Sequence, residues 1–238
     1  MMTETVDSRW CNLYKLGGAV AMIIAILLLG ESVIYAVLPN RSTPGEFLAL
    51  FRNNWLIGLL NFDLLGMISY LLFIPMILSL YMVLRRTNES IMIVGTVLFL
   101  VGIAVFFSTN TAFSVLSLSS QYEVAKTEAE RAMLLAACQT MITLFKVNAF
   151  MVSYVIVSAA WLLIAAVMLR SKLFSKLTAV AGIIAGAAGI VAEMLEHISE
   201  TFRVVAIILY FAAIVFLLLW VILSGRRLYN LGANSHKT

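Results

Sequence analysis

Six long apolar runs, each about 20 residues or longer, dominate this sequence. They cover approximately residues 16–38, 55–84, 91–116, 147–169, 177–197 and 204–223. The hydrocarbon core of a bilayer is about 30 Å thick, and a helix of roughly 20 apolar residues crosses it. Membrane β-strands alternate over about ten residues, whereas these runs are continuously apolar. The sequence therefore predicts an all-α, polytopic membrane helix bundle with six transmembrane helices, in which residues 1–238 form a single integral membrane domain.

The composition excludes most other classes of protein. Hydrophobic residues make up 63% of the chain and charged residues only 12%, whereas about a quarter of an ordinary soluble domain is charged. So few charges exclude a disordered chain, a coiled coil and a nucleic-acid binder. The partner that this composition implies is the lipid bilayer.

Basic residues are distributed unevenly between the two sides of the predicted bundle. Ten of the 16 Lys and Arg residues lie in the N-terminal segment, the turns at 85–90 and 170–176, and the C-terminal tail. Basic residues accumulate on the cytoplasmic side of membrane proteins, and short loops show this bias most strongly. We therefore expect a multi-pass protein of the cell membrane with both termini in the cytoplasm.

One proline, Pro75, falls inside the second apolar run. Its ring removes a backbone donor from a helix, but neighbouring helices can satisfy the carbonyl group that is freed. We expect a kink, so that residues 55–84 remain one helix.

The longest polar connection, residues 117–146, contains a signal for the start of a helix. Thr127 and Glu130 have the spacing of a capping box, in which each side chain binds the backbone amide of the other residue. Apolar residues then recur at helical spacing at Leu134, Ala137, Met141 and Leu144. This pattern predicts an amphipathic outer helix over 128–145, on the membrane face or over the mouth of the bundle. A solvated loop that runs early into the fourth span is the alternative.

The residues around this connection also resemble those of a known family. The sequence LSLSSQY at 116–122 is followed by AKTEAER at 125–131 and LLAA at 134–137. This pattern is similar to that of uncharacterised prokaryotic integral membrane proteins that are catalogued as a domain of unknown function. The resemblance implies six helices with a polar loop after the third, and it implies no activity or site.

Three carboxylates within the predicted spans have similar depths. Glu31 and Asp63 lie about 10–12 Å below the outer boundary at 1.5 Å per residue, and Glu193 is four residues before the outer end of the fifth span. A charge at mid-span costs about 2.5–3.5 kcal/mol on insertion scales, so each one needs a partner, water or a function. We predict a ligand or proton site at these carboxylates. The polar residues expected to share it are Asn61, Asn110 and Tyr154.

Small residues on the fifth span predict the direction of its carboxylates. A stripe at spacings of three and four consists of Gly182, Gly186, Gly189, Glu193, Glu196 and Glu200. Small residues at this spacing let another helix approach closely, so we expect this face to be buried with its carboxylates inward. A similar stripe on the third span consists of Gly95, Gly102 and Thr109, which makes that span a candidate partner.

One face of the fifth span also provides a candidate metal site. Glu193, Glu196 and His197 occupy positions i, i+3 and i+4, and with Asp63 or Glu31 they would offer nitrogen and oxygen ligands for Zn²⁺ or Mn²⁺. His197 is the only histidine outside the tail, and this spacing is not diagnostic of a metal site. No cofactor is therefore firmly predicted, and a divalent metal remains an alternative.

Three classes of function are compatible with these residues. The first is a membrane carrier or receptor for a small polar or cationic ligand. The second is a metal-assisted membrane hydrolase that uses Glu193, Glu196 and His197. The third is a non-catalytic accessory protein whose small-residue stripes bind other helices, including those of a homo-oligomer. We favour the first class, although purely structural roles, such as a hydrogen-bonded Glu31–Tyr35 pair, would also account for single carboxylates.

Overall fold

A computed structural model describes residues 7–38, 43–198 and 200–234, and every regular element in these ranges is helical. The α-helices are α1 (Cys11–Val37), α2 (Pro44–Asn53), α3 (Trp55–Asn61), α4 (Leu64–Leu84), α5 (Glu89–Thr109), α6 (Ala112–Val124), α7 (Glu128–Leu144), α8 (Ser153–Met168), α9 (Lys176–Ile198) and α10 (Arg203–Asn234). Short 3₁₀ turns precede α1 at Ser8–Trp10 and α10 at Glu200–Phe202. A π-helical segment, Phe145–Val152, joins α7 to α8.

Six helical segments in the described ranges are long and apolar enough to cross a membrane, which confirms the predicted fold class. They contain α1, α4, α5, α8, α9 and α10. Each of these helices packs against the next of them in the chain, and α10 packs against α1. The helices therefore form a closed ring, which large apolar side chains such as Met76, Trp161 and Trp220 fill. Many apolar side chains on its outside are exposed, among them Ile26 and Phe211.

The glycine stripes of α5 and α9 both pack against α8. A Cβ atom at Gly102 would lie 3.3 Å from the Ser153 carbonyl oxygen, and one at Gly186 would lie 2.7 Å from the Ser158 carbonyl oxygen. The prediction that these two stripes pack against each other is therefore wrong. Both α5 and α9 contact α8 through their glycines, because glycine lets two helix backbones approach closely.

Both ends of the described chain meet at one end of the ring. Gly232 on α10 is in contact with the backbone of Cys11, at the start of α1. The Arg227 Nε atom donates a hydrogen bond to the Leu173 carbonyl oxygen, 2.6 Å away in the turn between α8 and α9. We call this the basic end, because it carries the paired arginines 85–86 and 226–227 and the turn at 170–176.

Four helices, α2, α3, α6 and α7, cover the opposite end, and we call them the cap. Their apolar side chains form a second core around Phe47, Phe62 and Cys138. Two side-chain hydrogen bonds join helices of the cap to each other. Ser119 Oγ donates to the Leu48 carbonyl oxygen at 2.8 Å, and Thr111 Oγ1 donates to the Met141 carbonyl oxygen at 2.8 Å.

The predicted amphipathic helix between the third and fourth spans is confirmed as α7. Thr127 and Glu130 form the expected capping box, with the Thr127 amide donating to the Glu130 carboxylate at 3.1 Å. The buried face runs through Leu134, Cys138 and Ile142 at spacings of four residues, whereas three residues of the predicted stripe, Ala137, Met141 and Leu144, are only partly buried. Through this face α7 becomes part of the cap.

The predicted continuous helix over 55–84 is wrong. Pro75 lies inside α4 without ending it, whereas the helical run is broken between Asn61 and Leu64. The break falls at Asp63, which has φ 65° and ψ 42°. Its side chain starts a new helix by accepting a hydrogen bond from a backbone amide, which is how Asp competes with helix continuation. Hydropathy does not reveal this break, because both helices are apolar.

Candidate functional site

Asp63 is held firmly at the start of α4. Among the described residues it is the one non-glycine residue with a positive φ, a conformation that Asp tolerates better than most residues. Its Oδ1 atom accepts a hydrogen bond from the Gly66 amide at 3.1 Å, and the side chain is only 3% exposed. A Cβ atom at Gly66 would overlap the Asp63 carboxylate. The local backbone therefore fixes the position of this buried acid.

The two asparagines predicted at the site lie beside the helix break. Asn110 Nδ2 donates to the Phe62 carbonyl oxygen at 3.4 Å, and its Oδ1 atom accepts from the Ala112 amide at 3.1 Å. Asn61 is the last residue of α3 and is half-buried. Asn110 thus supports the backbone next to Asp63.

Glu31 on α1 forms a hydrogen bond with Asp63, and we call these two residues the acid pair. Glu31 is half-buried and Asp63 is buried. An ionised carboxylate has only acceptor atoms, so two carboxyl groups form a hydrogen bond only when one of them carries a proton. The hydrogen bond of the acid pair therefore needs a proton on at least one of the two carboxyl groups.

Two tyrosines that the sequence analysis did not assign to the predicted site lie near the acid pair. Tyr35 on α1 and Tyr70 on α4 are both close enough to interact electrostatically with Glu31 and Asp63. The Tyr70 hydroxyl forms a hydrogen bond with Ser153, whose Oγ atom lies 2.9 Å from the Gly102 carbonyl oxygen. Tyr70 thereby connects the surroundings of the acid pair to α8.

Tyr154 lies near carboxylates on two sides. Its hydroxyl is close enough to interact electrostatically with both Glu193 and Glu31. The Tyr154 ring covers Gly189, where a Cβ atom would lie 3.0 Å from Cε1. Glu193 follows one turn later on α9 and is 1% exposed, whereas Glu196 is exposed. The inward orientation predicted from the glycine stripe is therefore correct for Glu193 and wrong for Glu196.

A second group of polar residues joins α9 to α10. The Tyr210 hydroxyl is hydrogen-bonded with the carboxyl groups of both Glu193 and Glu196. We call these three residues the α9–α10 cluster. The Tyr210 hydroxyl thus links the buried carboxyl group of Glu193 to the exposed carboxyl group of Glu196. Tyr210 was not among the predicted site residues, since a tyrosine within an apolar run is usually part of the core.

The predicted carboxylates thus belong to two groups, with Tyr154 close to both. Glu31 and Asp63 bind each other, and Glu193 binds Tyr210. Among the described side chains, no three His, Cys, Asp or Glu residues are grouped so that they could hold a metal ion. The His197 side chain lies outside the described part of the structure. The metal site of Glu193, Glu196 and His197 therefore remains a prediction.

The chain belongs to the family named Domain of unknown function (DUF4386), whose sequence model matches residues 15–225. This finding confirms the resemblance noted in the sequence. The matched range contains the acid pair, Tyr154 and the α9–α10 cluster. No curated protein and no solved structure matches the chain.

Proposed function

We propose that this chain is an integral, multi-pass protein of the cell membrane with both termini in the cytoplasm. Six helices of sufficient length and apolarity support membrane insertion. The arginine pairs and the 170–176 turn at the basic end support the orientation, since short basic loops stay in the cytoplasm. In this orientation the cap and the acid pair lie in the outer half of the protein.

We propose further that the protein is a carrier or receptor for a small cationic ligand, with the acid pair as its charge-binding site. The observation that carries this proposal is the hydrogen bond between Glu31 and Asp63. Asp63 is almost completely buried. Ionisable groups within membrane segments often mark ion or substrate pathways. With one of its two carboxyl groups ionised, the acid pair would carry a negative charge that a ligand cation compensates.

The helix break supports this assignment. In many carriers the substrate and ion sites lie where a membrane helix is discontinuous, because the ends of the two half-helices present free backbone groups. The break between α3 and α4 falls at Asp63 itself. One continuous helix over 55–84, as predicted from the apolar run, would present no such backbone groups at Asp63.

Three tyrosines that interact electrostatically with Glu31 favour an organic cation over a metal ion. Tyr35, Tyr70 and Tyr154 all lie close to the acid pair. Aromatic faces attract ammonium groups through their quadrupole, and the attraction strengthens where water is excluded. A pair of carboxyl groups with three phenol groups within electrostatic range therefore suits an ammonium or an aromatic cation.

The α9–α10 cluster supports exchange of protons with the acid pair. Glu196 is exposed, Glu193 is buried, and Tyr210 is hydrogen-bonded to both. Tyr154 is close to Glu193 and to Glu31. These residues provide a series of titratable groups from the surface to the acid pair, as proton-linked carriers require.

Infrared difference spectroscopy on the purified protein tests the protonation of the acid pair. We expect the carbonyl band of a protonated carboxylic acid at neutral pH, and we expect its loss in both Glu31→Gln and Asp63→Asn, since an amide donates to a carboxylate without needing a proton. Glu123→Gln changes an exposed carboxyl group of α6, outside both groups of carboxylates, and is the matched control that should retain the band. Absence of the band from the unmodified protein, or its survival in both variants, would contradict the proposal.

Binding of ethidium, an aromatic cation, tests the ligand class. Fluorescence polarisation should show saturable binding to the detergent-purified protein, and Asp63→Asn and Glu31→Gln should each weaken it at least tenfold. The control Glu123→Gln should leave the affinity within a factor of two. Binding that does not saturate, or that all three variants weaken equally, would rule out the acid pair as the cation site.

A further inference from the structure

A groove of about 550 Å³ lies between α1 and α10 near the basic end. The two helices almost touch at its floor, where a Cβ atom at Gly18 would lie 2.7 Å from the Gly225 carbonyl oxygen. Larger side chains, including Met22 and Ile222, line its sides. The groove thus follows from a close contact of small residues flanked by larger ones.

The groove is polar at one end and apolar at the other. Arg226, Tyr229 and Asn230 line the part nearest the basic end. Ile222 lies one helical turn before Arg226 on α10, about 6 Å deeper at 1.5 Å per residue, and Met22 lies deeper than Gly18 on α1. An amphiphile with its head at the basic end would match this order.

The positive charge in the groove has no partner within the described parts of the chain. Arg226 is exposed, and among residues 7–38, 43–198 and 200–234 it makes no hydrogen bond or ion pair. Its neighbour Arg227 is different, because its guanidinium binds the Leu173 carbonyl oxygen. Arg226 therefore offers several donors to an anion, and Tyr229 and Asn230 offer more.

We propose that this groove binds an anionic phospholipid of the surrounding leaflet. The lipid phosphate would lie against Arg226 within reach of Tyr229 and Asn230, and an acyl chain would lie along Ala19, Met22 and Ile222. Basic pockets between membrane helices bind lipid headgroups in this manner. Inorganic phosphate would fill only the polar end and leave the apolar end uncovered. This proposal does not depend on the acid pair or on the proposed ligand.

Native mass spectrometry of the full chain, with phosphatidylglycerol or phosphatidylcholine added to the detergent, tests the lipid site. We expect phosphatidylglycerol to bind at least tenfold more tightly than phosphatidylcholine, and Arg226→Gln to abolish this preference. Arg227→Gln removes the same charge one position away, outside the groove, and should keep the preference. Equal losses in both variants, or no preference in the unmodified protein, would overturn the proposal.

A second variant separates lipid binding from simple attraction between charges. Ala19 is exposed in the groove, so Ala19→Trp should fill its apolar part without disturbing the core or the charge. We expect at least a tenfold loss of phosphatidylglycerol binding, with an unchanged melting temperature of the lipid-free protein. Retained lipid binding in this variant, or complete displacement of the lipid by millimolar inorganic phosphate, would show that the groove is an anion site only and would overturn the lipid assignment.

Discussion

The Asn110 side chain donates a hydrogen bond to the Phe62 carbonyl oxygen, 3.4 Å away, and thereby ties the end of α5 to the helix break. In an uninterrupted helix the Gly66 amide would be the donor to Phe62. That amide instead binds the Asp63 side chain. Asn110 thus supplies the hydrogen bond that the Phe62 carbonyl loses when Asp63 caps α4.

Asn110→Ala should destabilise the protein by about 1–3 kcal/mol, because it leaves the Phe62 carbonyl without its donor. Ser108→Ala is the control. Ser108 is nearby on α5, but its hydroxyl is exposed and, among the described residues, bonds only to the Val105 carbonyl oxygen of its own helix. Unfolding in a denaturing detergent should show a lower midpoint for Asn110→Ala than for Ser108→Ala. Equal midpoints would show that the break does not need Asn110.

The stability of variants at Asp63 should depend on how well the new residue adopts the positive φ, as well as on its charge. Asn both caps a helix and tolerates a positive φ, so Asp63→Asn should retain most of the stability. Asp63→Ala loses the cap and keeps the strain, with an expected cost of about 2–3 kcal/mol. Asp63→Gly should fall between them. The midpoints of detergent unfolding measure this order, and an Ala variant as stable as the Asn variant would contradict it.

Gly66→Ala should disturb the acid pair without changing any titratable group. The added Cβ would overlap the Asp63 carboxylate and force it to move. We expect a shift or loss of the protonated-acid infrared band and at least a tenfold weaker binding of ethidium. In the control Gly45→Ala the nearest atom is 4.0 Å from the new Cβ, so both readouts should stay unchanged. Normal readouts from Gly66→Ala would mean that the carboxylate can shift freely.

Ser119→Ala should loosen the attachment of α2 to α6. Ser119 Oγ donates to the Leu48 carbonyl oxygen, and loss of this buried hydrogen bond should cost about 1–3 kcal/mol. Amide hydrogen exchange in α2 should then accelerate roughly tenfold. The neighbouring Ser120 is exposed, and within the described part of the chain its hydroxyl bonds only to the Leu116 carbonyl oxygen of α6, so Ser120→Ala should leave exchange in α2 unchanged. Similar exchange rates in the two variants would show that apolar packing alone holds α2.

The sequence predicts those features of the fold that local physics determines. The number of membrane helices follows from the apolar runs, since bilayer thickness sets their length. The start of α7 follows from Thr127 and Glu130. The same type of signal precedes α2, where Thr43, Pro44 and Glu46 form a capping box with proline at the first helical position, but the sequence analysis did not use it.

Features that depend on contacts distant in sequence could not be predicted in the same way. The break at Asp63 relies on Asn110, which lies on another helix. The spacing of the glycines indicates that some helix approaches closely, but it does not identify α8 as that helix. Likewise, Tyr70 and Tyr210 resemble ordinary core residues until the fold brings them next to carboxyl groups.

Closure of the ring between α1 and α10 has a consequence for biosynthesis. Gly18 and Gly225, which form this contact, lie more than 200 positions apart in the chain. While the protein is being made, α1 enters the membrane long before α10 exists, and contacts of such long separation form late. Until α10 arrives, the nascent helices form an open arc with the Gly18 face of α1 uncovered. A chain that stops before α10 would therefore lack the helix that completes assembly, and cellular quality control would encounter an open intermediate.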